Sequence, residues 1–176
     1  MNDALLALLR EAEALKDLPR AGWVRRGVPA PESVAAHSWG VAFLVLALLP
    51  DALDRGRALA YAVLHDLPEV RVGDLTPHDG VEAADKARRE ARAADALLAA
   101  RPGLAALWHA YEAQTDPEAR FVRQLDRLDM VLRAAALTDA GTGGLEEFVD
   151  SAARVVVDPD LRALLDALRP VVARRG

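Results

Sequence analysis

The sequence predicts an all-α fold, and we expect a single-domain helical bundle over residues 1–176. Apolar residues recur at helical spacing through almost the whole chain, and only residues 155–157 offer a short strand-like run. The composition is 52% apolar and 28% charged, which is typical of a globular protein. Prolines and glycines separate the periodic segments from one another, so they mark where each predicted helix ends.

The helical pattern divides the chain into a series of predicted elements. They are a helix ending before Pro19, an irregular connector at 18–31, helices at 32–49 and 54–67, a loop at 73–80, helices at 81–100, 104–114 and 117–140, and one or two C-terminal helices within 145–174. The third helix must end or kink near Pro68, because proline cannot donate a hydrogen bond to the carbonyl of Leu64. Thr115, Pro117 and Glu118 predict a capping-box start for the helix at 117–140.

The composition excludes several classes of protein. A formal net charge of −5 argues against general binding to a nucleic-acid polymer. The absence of cysteine excludes a disulfide framework, a thiolate zinc site and a cysteine nucleophile. The apolar stretch at 34–49 contains His37 and is shorter than the roughly 20 residues that a bilayer requires. With no signal-like N-terminus, the sequence predicts a soluble, cytoplasmic protein without a membrane partner.

Two histidines lie in otherwise apolar helical segments. His37 and His65 could each be hydrogen-bonded core residues, which is the commoner role of such a histidine. Asp66 directly follows His65, and two neighbouring polar residues after an apolar run need a shared partner to offset their desolvation. A cation would satisfy both, and imidazole with carboxylate suits Mn, Fe, Co, Ni or Zn.

A further candidate ligand lies in the helix predicted at 117–140. Asp126 stands among apolar residues, and Asp129 follows one turn later on the same face. Asp126 could instead form a surface salt bridge with Arg123 or Arg127. Two like charges at this spacing repel each other mildly, so we expect at least one of them to face a cation.

Several short motifs follow one another in a characteristic order. They are Arg20-Ala-Gly-Trp23, Pro31-Glu-Ser-Val-Ala-Ala-His37, His65-Asp-Leu-Pro-Glu69, Gly73-Asp-Leu-Thr-Pro77, and Tyr111-Glu-Ala-Gln through Phe121-Val-Arg-Gln-Leu-Asp126. Together they resemble the HD-domain 5′-deoxynucleotidases, the YfbR-like group of the HD metal-dependent phosphohydrolases. The resemblance is strongest over residues 5–140, and the C-terminal helices within 145–174 would complete the domain.

This resemblance implies an HD-type all-α fold and a cytoplasmic homodimer. It implies hydrolysis of 2′-deoxynucleoside 5′-monophosphates to deoxynucleosides and phosphate. It also implies a divalent metal, commonly cobalt or manganese in assay, held by residues that match His37, His65, Asp66 and Asp126. The identity of this metal stays open among Co, Mn, Ni, Fe, Zn and Mg.

The resemblance also assigns roles to two acidic residues. Residues that match Glu69 and Asp74 are essential to catalysis in the family, and in some members they hold a second cation with the carbonyl that matches Leu75. Without the resemblance, Glu69 would be read as a capping or surface carboxylate. Asp74 would be read as a turn-forming residue after Gly73.

The connector at 18–31 carries the candidate phosphate-binding residues. In the bacterial nucleotidases an arginine directly precedes the tryptophan that matches Trp23, whereas Gly22 stands there in this chain. Arg20 fits the Arg-x-Gly-Trp form of eukaryotic-like members, and Arg25 and Arg26 also offer suitable charge and fork geometry. All three could equally belong to a solvated loop, and Trp23 could be a core anchor.

Two residues of the loop at 73–80 complete the predicted substrate site. Thr76 and Pro77 are expected to contact the sugar. Two alternative functions stay open at this point. The chain could be an HD phosphohydrolase of another ester, namely a cyclic dinucleotide, a nucleoside triphosphate or a pyrophosphate, or it could be a non-catalytic metal-binding helical module.

Overall fold

The computed structural model describes residues 3–174, and within that range the chain is helical with no strand. The helices are α1 Asp3–Ala12, α2 Ala21–Arg25, α3 Val34–Leu48, α4 Arg55–Leu64, α5 Glu69–Val72, α6 Ala83–Leu97, α7 Pro102–Glu112, α8 Pro117–Asp139, α9 Glu146–Ala153 and α10 Pro159–Val172. A short 3-10 helix, Glu13–Lys16, follows α1. The predicted all-α class is therefore confirmed.

The contacts between residues divide the chain into two compact units. Unit 1 comprises the residues up to Trp39 together with Val63–Thr115, and unit 2 comprises Gly40–Ala62 together with the residues from Asp116 onward. Each unit is thus assembled from two separate stretches of the chain. The single domain expected over residues 1–176 stays a prediction.

The core of unit 1 forms where α1, α6 and α7 bring apolar side chains together. Its buried members are Leu8, Ala94, Leu97, Leu98 and Trp108. Leu67 and Val70 pack against this cluster from the segment around α5. The amphipathic face of α6 therefore supports the segment that follows His65, which carries several of the predicted site residues.

The core of unit 2 forms where α8, α9 and α10 pack against one another. Leu125 and Leu128 of α8 are buried, as are Leu161 and Leu165 of α10. The side chain of Gln124 accepts hydrogen bonds from the backbone nitrogens of residues 157 and 158, each over 2.8 Å. This amide therefore fixes the start of α10 to α8.

Three local features of the structure differ from the sequence pattern, and the first concerns the strand-like run at 155–157, which is not a strand. The backbone nitrogens of Val155 and Val156 continue the turn at the end of α9 and donate to the carbonyl of Ala152, each over 2.9 Å. Val157 donates to Gln124 instead of to a neighbouring strand. These hydrogen bonds leave no backbone donor in the run for a sheet.

The second concerns the connector at 18–31, which contains the short helix α2. The nitrogen of Val24 donates to the carbonyl of Arg20, and that of Arg26 donates to Gly22. A helix of five residues is too short to show apolar periodicity, so the sequence pattern could not reveal it.

The third concerns the predicted capping box of α8. Asp116 is the N-cap, and its carboxylate accepts a hydrogen bond from the nitrogen of Ala119 over 2.8 Å. Glu118 instead accepts from the nitrogen of Asp54 over 3.0 Å, at the residue that precedes α4. The side chain of Glu118 therefore binds the start of α4 and does not cap α8.

The helix lengths bear on membrane insertion. None of the helices within residues 3–174 is both long and apolar enough to cross a membrane. The strongly apolar α3 has only 15 residues.

Candidate metal centre

Two buried imidazoles face each other in unit 1. His37 lies in the first turns of α3 and is fully buried, and His65 directly follows the end of α4. Their Nε2 atoms are 3.4 Å apart, and the rings meet edge to face with centroids separated by 5.4 Å. The rings of Tyr111 and His65 also meet edge to face, with centroids 5.7 Å apart. The predicted histidine pair is therefore brought together.

Asp66 adds a carboxylate to this pair. Its Oδ2 lies 3.2 Å from Nε2 of His65 and 3.8 Å from Nε2 of His37. Burial by itself raises the pKa of Asp66, but the hydrogen bond and charge of His65 and the charges of Arg20 and His37 lower it well below its usual range. Asp66 is therefore ionised at neutral pH, as a metal ligand must be.

The donor set fits a divalent transition metal. Two imidazole nitrogens and one carboxylate oxygen converge from α3 and from the end of α4, and all three belong to unit 1. This combination of nitrogen and oxygen donors suits Mn, Fe, Co, Ni and Zn, whereas Mg prefers a site made of oxygen ligands.

Arg20 links the metal-ligand candidates to the loop that carries Asp74. Its Nη1 lies 3.1 Å from Oδ2 of Asp66 and 3.6 Å from Oδ2 of Asp74. The backbone nitrogen of Ala21, at the start of α2, donates to the same Asp74 oxygen over 2.8 Å. Arg25 and Arg26 are exposed on the rest of this segment. Among the candidate arginines, Arg20 therefore contacts both site carboxylates.

Glu69 is the first residue of α5 and is buried, with 4% of its surface exposed. Its Oε2 has no hydrogen-bond partner among the described residues. Burial, followed by the charges of Asp66 and Asp74, raises the pKa of Glu69 to about 10. Glu69 therefore carries a proton at neutral pH in this arrangement, which is the state required of a general acid.

The loop after Gly73 places the remaining candidates. Gly73 has a φ of 79°, a backbone conformation that favours glycine, and it turns the chain out of α5. The carbonyl of Leu75 accepts a hydrogen bond from Nζ of Lys86 over 2.7 Å. Thr76 donates to Asp79 through both its backbone nitrogen and its hydroxyl. This hydroxyl stabilises the turn of the loop.

The remaining predicted substrate and metal residues lie on α2, in the loop after Asp74 and on α8. Trp23 is buried in α2, and its indole nitrogen donates to Glu32 over 2.8 Å, so it anchors the connector. Pro77 is exposed. Asp126 is buried on α8 in unit 2, and Nε of Arg127 lies 3.7 Å from its carboxylate.

Comparison with known families decides how this arrangement is classified. The sequence model of the family described as "HD domain" matches residues 12–157, which is most of the chain. The chain belongs to the HD-domain family. The match extends beyond residue 140, where the motif resemblance weakens, into α9 and the segment that follows it. The predicted HD-type fold and family are thereby confirmed.

Several known HD-domain relatives cover nearly the whole chain. The human protein named 5′-deoxynucleotidase HDDC2 is 37% identical over 172 residues, which are 94% of this chain and 84% of that protein. The crystal structure of PH0347 from Pyrococcus horikoshii is 32% identical, with a TM-score of 0.79 over 94% of this chain and 99% of that one. A structure from Magnetospirillum magnetotacticum, described as a predicted metal-dependent phosphohydrolase, is 28% identical with a TM-score of 0.70, and 98% of each chain is covered.

Two residues of this HD-domain chain were missed by sequence reasoning. Lys86 contacts the loop that follows Asp74, and Trp108 contacts the backbone of His65. Neither contact could be read from its local pattern, because Lys86 lies 11 residues from Leu75 and Trp108 lies 43 residues from His65. One signal for Lys86 was available, since lysine occurs only twice in a chain in which arginine supplies nearly all the positive charge.

Proposed function

We propose that this HD-domain chain is a metal-dependent 5′-deoxynucleotidase, which hydrolyses 2′-deoxynucleoside 5′-monophosphates to deoxynucleosides and phosphate. The observation that carries the proposal is the buried cluster of His37, His65 and Asp66, with Arg20 extending from Asp66 to Asp74. The name of the human relative, which shares 37% of aligned residues over nearly the whole chain, supports the same activity.

The proposed metal ligands are His37, His65, Asp66 and Asp126. The first three lie close together in unit 1. We include Asp126 because the sequence resemblance assigns it as a ligand and because it is buried on α8. When bound there, a divalent cation supplies a Lewis acid for a phosphate oxygen and lowers the pKa of a water molecule. Co, Mn, Ni, Fe, Zn and Mg are the candidates, and the nitrogen donors favour the transition metals.

Arg20 is the proposed phosphate ligand. A guanidinium group offers several donors in a planar fork, so it can bind a phosphate oxygen while it keeps a contact to a carboxylate. Because Arg20 lies between Asp66 and Asp74, a phosphate bound to it would lie beside the proposed metal ligands. Trp23 supports this role by anchoring the connector through its bond to Glu32.

Glu69 and Asp74 are the proposed catalytic residues. Burial and the neighbouring carboxylates raise the pKa of Glu69 in the metal-free chain, so its carboxyl can hold the proton that it would pass to the leaving 5′ oxygen. Asp74 faces Arg20 and the nitrogen of Ala21, so it holds the guanidinium in place and can orient the attacking water.

The proposed selectivity depends on the sugar. Thr76 and Pro77 lie in the loop that follows Asp74, where they would contact the ribose carbons. A wall closed around carbon 2′ would reject a hydroxyl group, because burying it without a partner costs ~1–3 kcal/mol. The base would then have little influence on the rate.

A panel of phosphate esters tests the proposed activity. Free phosphate is measured with added Mn²⁺ or Co²⁺, and with a chelator as the control, on 2′-deoxynucleoside 5′-monophosphates, their ribonucleotide counterparts and 3′-monophosphates. We expect release from several deoxynucleoside 5′-monophosphates and little from the others. Preference for a cyclic dinucleotide, a triphosphate or a pyrophosphate would support another HD phosphohydrolase activity, and no release from any ester would support a non-catalytic module.

The same proposal includes a homodimer in the cytoplasm. Trp39, Phe43 and Leu46 share one face of α3 at helical spacing, and they are 71%, 55% and 56% exposed. An apolar stripe of this kind commonly marks a protein–protein interface. We expect sedimentation to give a dimer for the wild-type chain and a monomer for Phe43→Arg. A monomeric wild-type chain would contradict the proposal.

A further inference from the structure

The helix that carries Glu69 is too short to fix its own orientation. Helix α5 has four residues and lies between Pro68 and Gly73. The nitrogen of Gly73 donates to the carbonyl of Glu69 over 2.7 Å at its end. A helix of this length is not stable by itself, because its few hydrogen bonds do not offset the cost of ordering the first turn. Contacts with neighbouring elements therefore determine the direction in which Glu69 points.

Successive side chains of α5 leave the helix in different directions, about 100° apart around its axis. Glu69 is buried, and Val70 packs against the buried cluster of unit 1. Arg71 is exposed and lies about 200° around the axis from Glu69, which is nearly the opposite side of α5. A contact made by Arg71 can therefore resist rotation of α5 about the Val70 contact.

Arg71 makes a two-point contact with Glu11, in the last turn of α1. Its Nε donates to Oε1 of Glu11 over 2.5 Å, and its Nη2 donates to Oε2 over 2.8 Å. Paired bonds between a guanidinium group and a carboxylate fix the orientation of the two groups as well as their distance. The hydrogen bond from Arg71 lowers the pKa of Glu11, so this carboxylate is ionised at neutral pH.

The partner helix is itself fixed in unit 1. Leu8 of α1 belongs to the same buried cluster against which Val70 packs. The side chains of Glu11 and Arg71 are each 34% exposed. Ion pairs near the surface contribute little to the stability of a whole protein. We therefore expect the effect of this pair to be local, on the orientation of α5.

We propose that the ion pair of Glu11 and Arg71 positions the carboxyl group of Glu69 by fixing the rotation of α5. This inference rests on the proposed function, which assigns proton transfer to Glu69. It adds two positioning residues that lie outside the motifs of the sequence resemblance. Neither of them touches the substrate or the metal, and both act through Glu69.

Three changes to the ion pair test this role. Arg71→Lys keeps the charge but removes the planar fork, and Glu11→Gln removes the charge of the acceptor. The double variant Glu11→Arg, Arg71→Glu rebuilds the pair with its charges exchanged. Arg169→Lys is a matched control, because Arg169 pairs with Asp150 on the exposed surface of unit 2. Circular dichroism verifies folding, elemental analysis gives the metal content, and phosphate release from a deoxynucleoside 5′-monophosphate gives kcat and KM.

We expect kcat to fall about 10-fold in each single variant, because small displacements of a catalytic group slow the chemical step. KM and the metal content should stay at the wild-type level, and the charge-exchanged variant should recover most of the lost kcat. Arg169→Lys should match the wild type. Wild-type kcat in folded Arg71→Lys, or no recovery in the charge-exchanged variant, would overturn the inference.

A double-mutant comparison separates positioning of Glu69 from a general structural role. If Arg71 acts through Glu69, Arg71→Lys should cause no further loss of kcat in the Glu69→Gln background. A further loss of about 10-fold in that background would show that the two effects are independent. That result would overturn the inference.

Hydrogen exchange tests the orientation of α5 without any activity measurement. In chelator, the amide of Gly73 should exchange about 10-fold faster in Arg71→Lys than in the wild type, because its bond to the Glu69 carbonyl opens more often. Arg169→Lys should leave this rate unchanged. Equal Gly73 exchange in Arg71→Lys and the wild type would overturn the inference. Failure of the proposed function would look different, because the wild type would release no phosphate from deoxynucleotides while the exchange difference remained.

Discussion

The indole Nε1 of Trp108 donates a hydrogen bond to the main-chain carbonyl of His65 over 3.0 Å. In a continuous helix that carbonyl would accept from the nitrogen of Glu69, four residues later. Pro68 interrupts the helix, and the nitrogen of Glu69 donates to the carbonyl of Asp66 instead. Trp108 therefore satisfies a buried carbonyl at the point where two of the proposed metal ligands leave α4.

Trp108→Phe tests this hydrogen bond. Phenylalanine keeps an aromatic ring in the core but leaves the His65 carbonyl without its donor, so we expect the free energy of unfolding to fall by ~1–3 kcal/mol. Chemical denaturation measures the change. Val157→Ala is the control, because the Val157 side chain is largely exposed and lies outside the proposed dimer stripe. Equal effects of the two substitutions would show that the hydrogen bond contributes little.

The metal ligands are tested by His65→Ala and Asp66→Ala. Each change removes a metal-coordinating side chain from the cluster of His37, His65 and Asp66. We therefore expect the purified variants to lose the bound transition metal. Elemental analysis of purified protein gives the metal content. His109→Ala is a matched control, because that exposed imidazole pairs with Asp95 on the surface of unit 1. Unchanged metal content in both ligand variants would refute the assignment.

The catalytic acids are tested by Glu69→Gln and Asp74→Asn. If these residues transfer protons and orient water, kcat should fall by roughly 10²–10⁴-fold while the metal content stays at the wild-type level. Steady-state phosphate release and elemental analysis provide the two measurements. Asp95→Asn, which changes an exposed carboxylate, should leave kcat and the metal content unchanged. Near-normal turnover in either variant would indicate that the substituted residue has a structural role and not a catalytic one.

The raised pKa of Glu69 predicts a pH dependence of stability in chelator. The protonated side chain contributes stability fully below the usual carboxyl pKa of 4.5, and this contribution is lost as pH rises through the folded-state value of about 10. From pH 5 to pH 9, the wild-type free energy of unfolding should therefore fall relative to that of Glu69→Gln, which cannot ionise. Denaturation across this range measures the difference.

The control for this prediction is Glu82→Gln, because Glu82 is exposed and forms no side-chain cap to α6. Its difference from the wild type should not vary with pH in the same way. A constant difference between the wild type and Glu69→Gln across the range would contradict the raised pKa.

Most of the helices could be predicted because their apolar residues recur over several turns. The bounds of α3 and α8 were predicted to within about two residues, which is the usual uncertainty at helix ends. The short helices α2 and α5 could not be predicted in the same way. They have five and four residues, and the backbone hydrogen bonds that define them leave no repeating pattern in the sequence.

The candidate site was predictable where the residue types themselves demand a partner. Buried histidines and carboxylates in apolar surroundings indicated His37, His65 and Asp66, and the motif order added Arg20 and Asp74. The contacts of Lys86 and Trp108 were not predictable, because a lysine near a helix start and a tryptophan in an apolar helix have ordinary local explanations. Only the packing of α6 and α7 within unit 1 brings these two side chains to their partners.

The contacts that hold the site also bear on when it forms during folding. Arg20 is separated from Asp66 by 46 residues, Ala21 from Asp74 by 53, and Trp108 from His65 by 43. Contacts over such separations require large loops to close, so they develop late compared with the local helices. The segment of α4 and α5 alone would lack the donors that fix it. We therefore expect the cation to be acquired by a chain that has already folded, rather than to nucleate the fold.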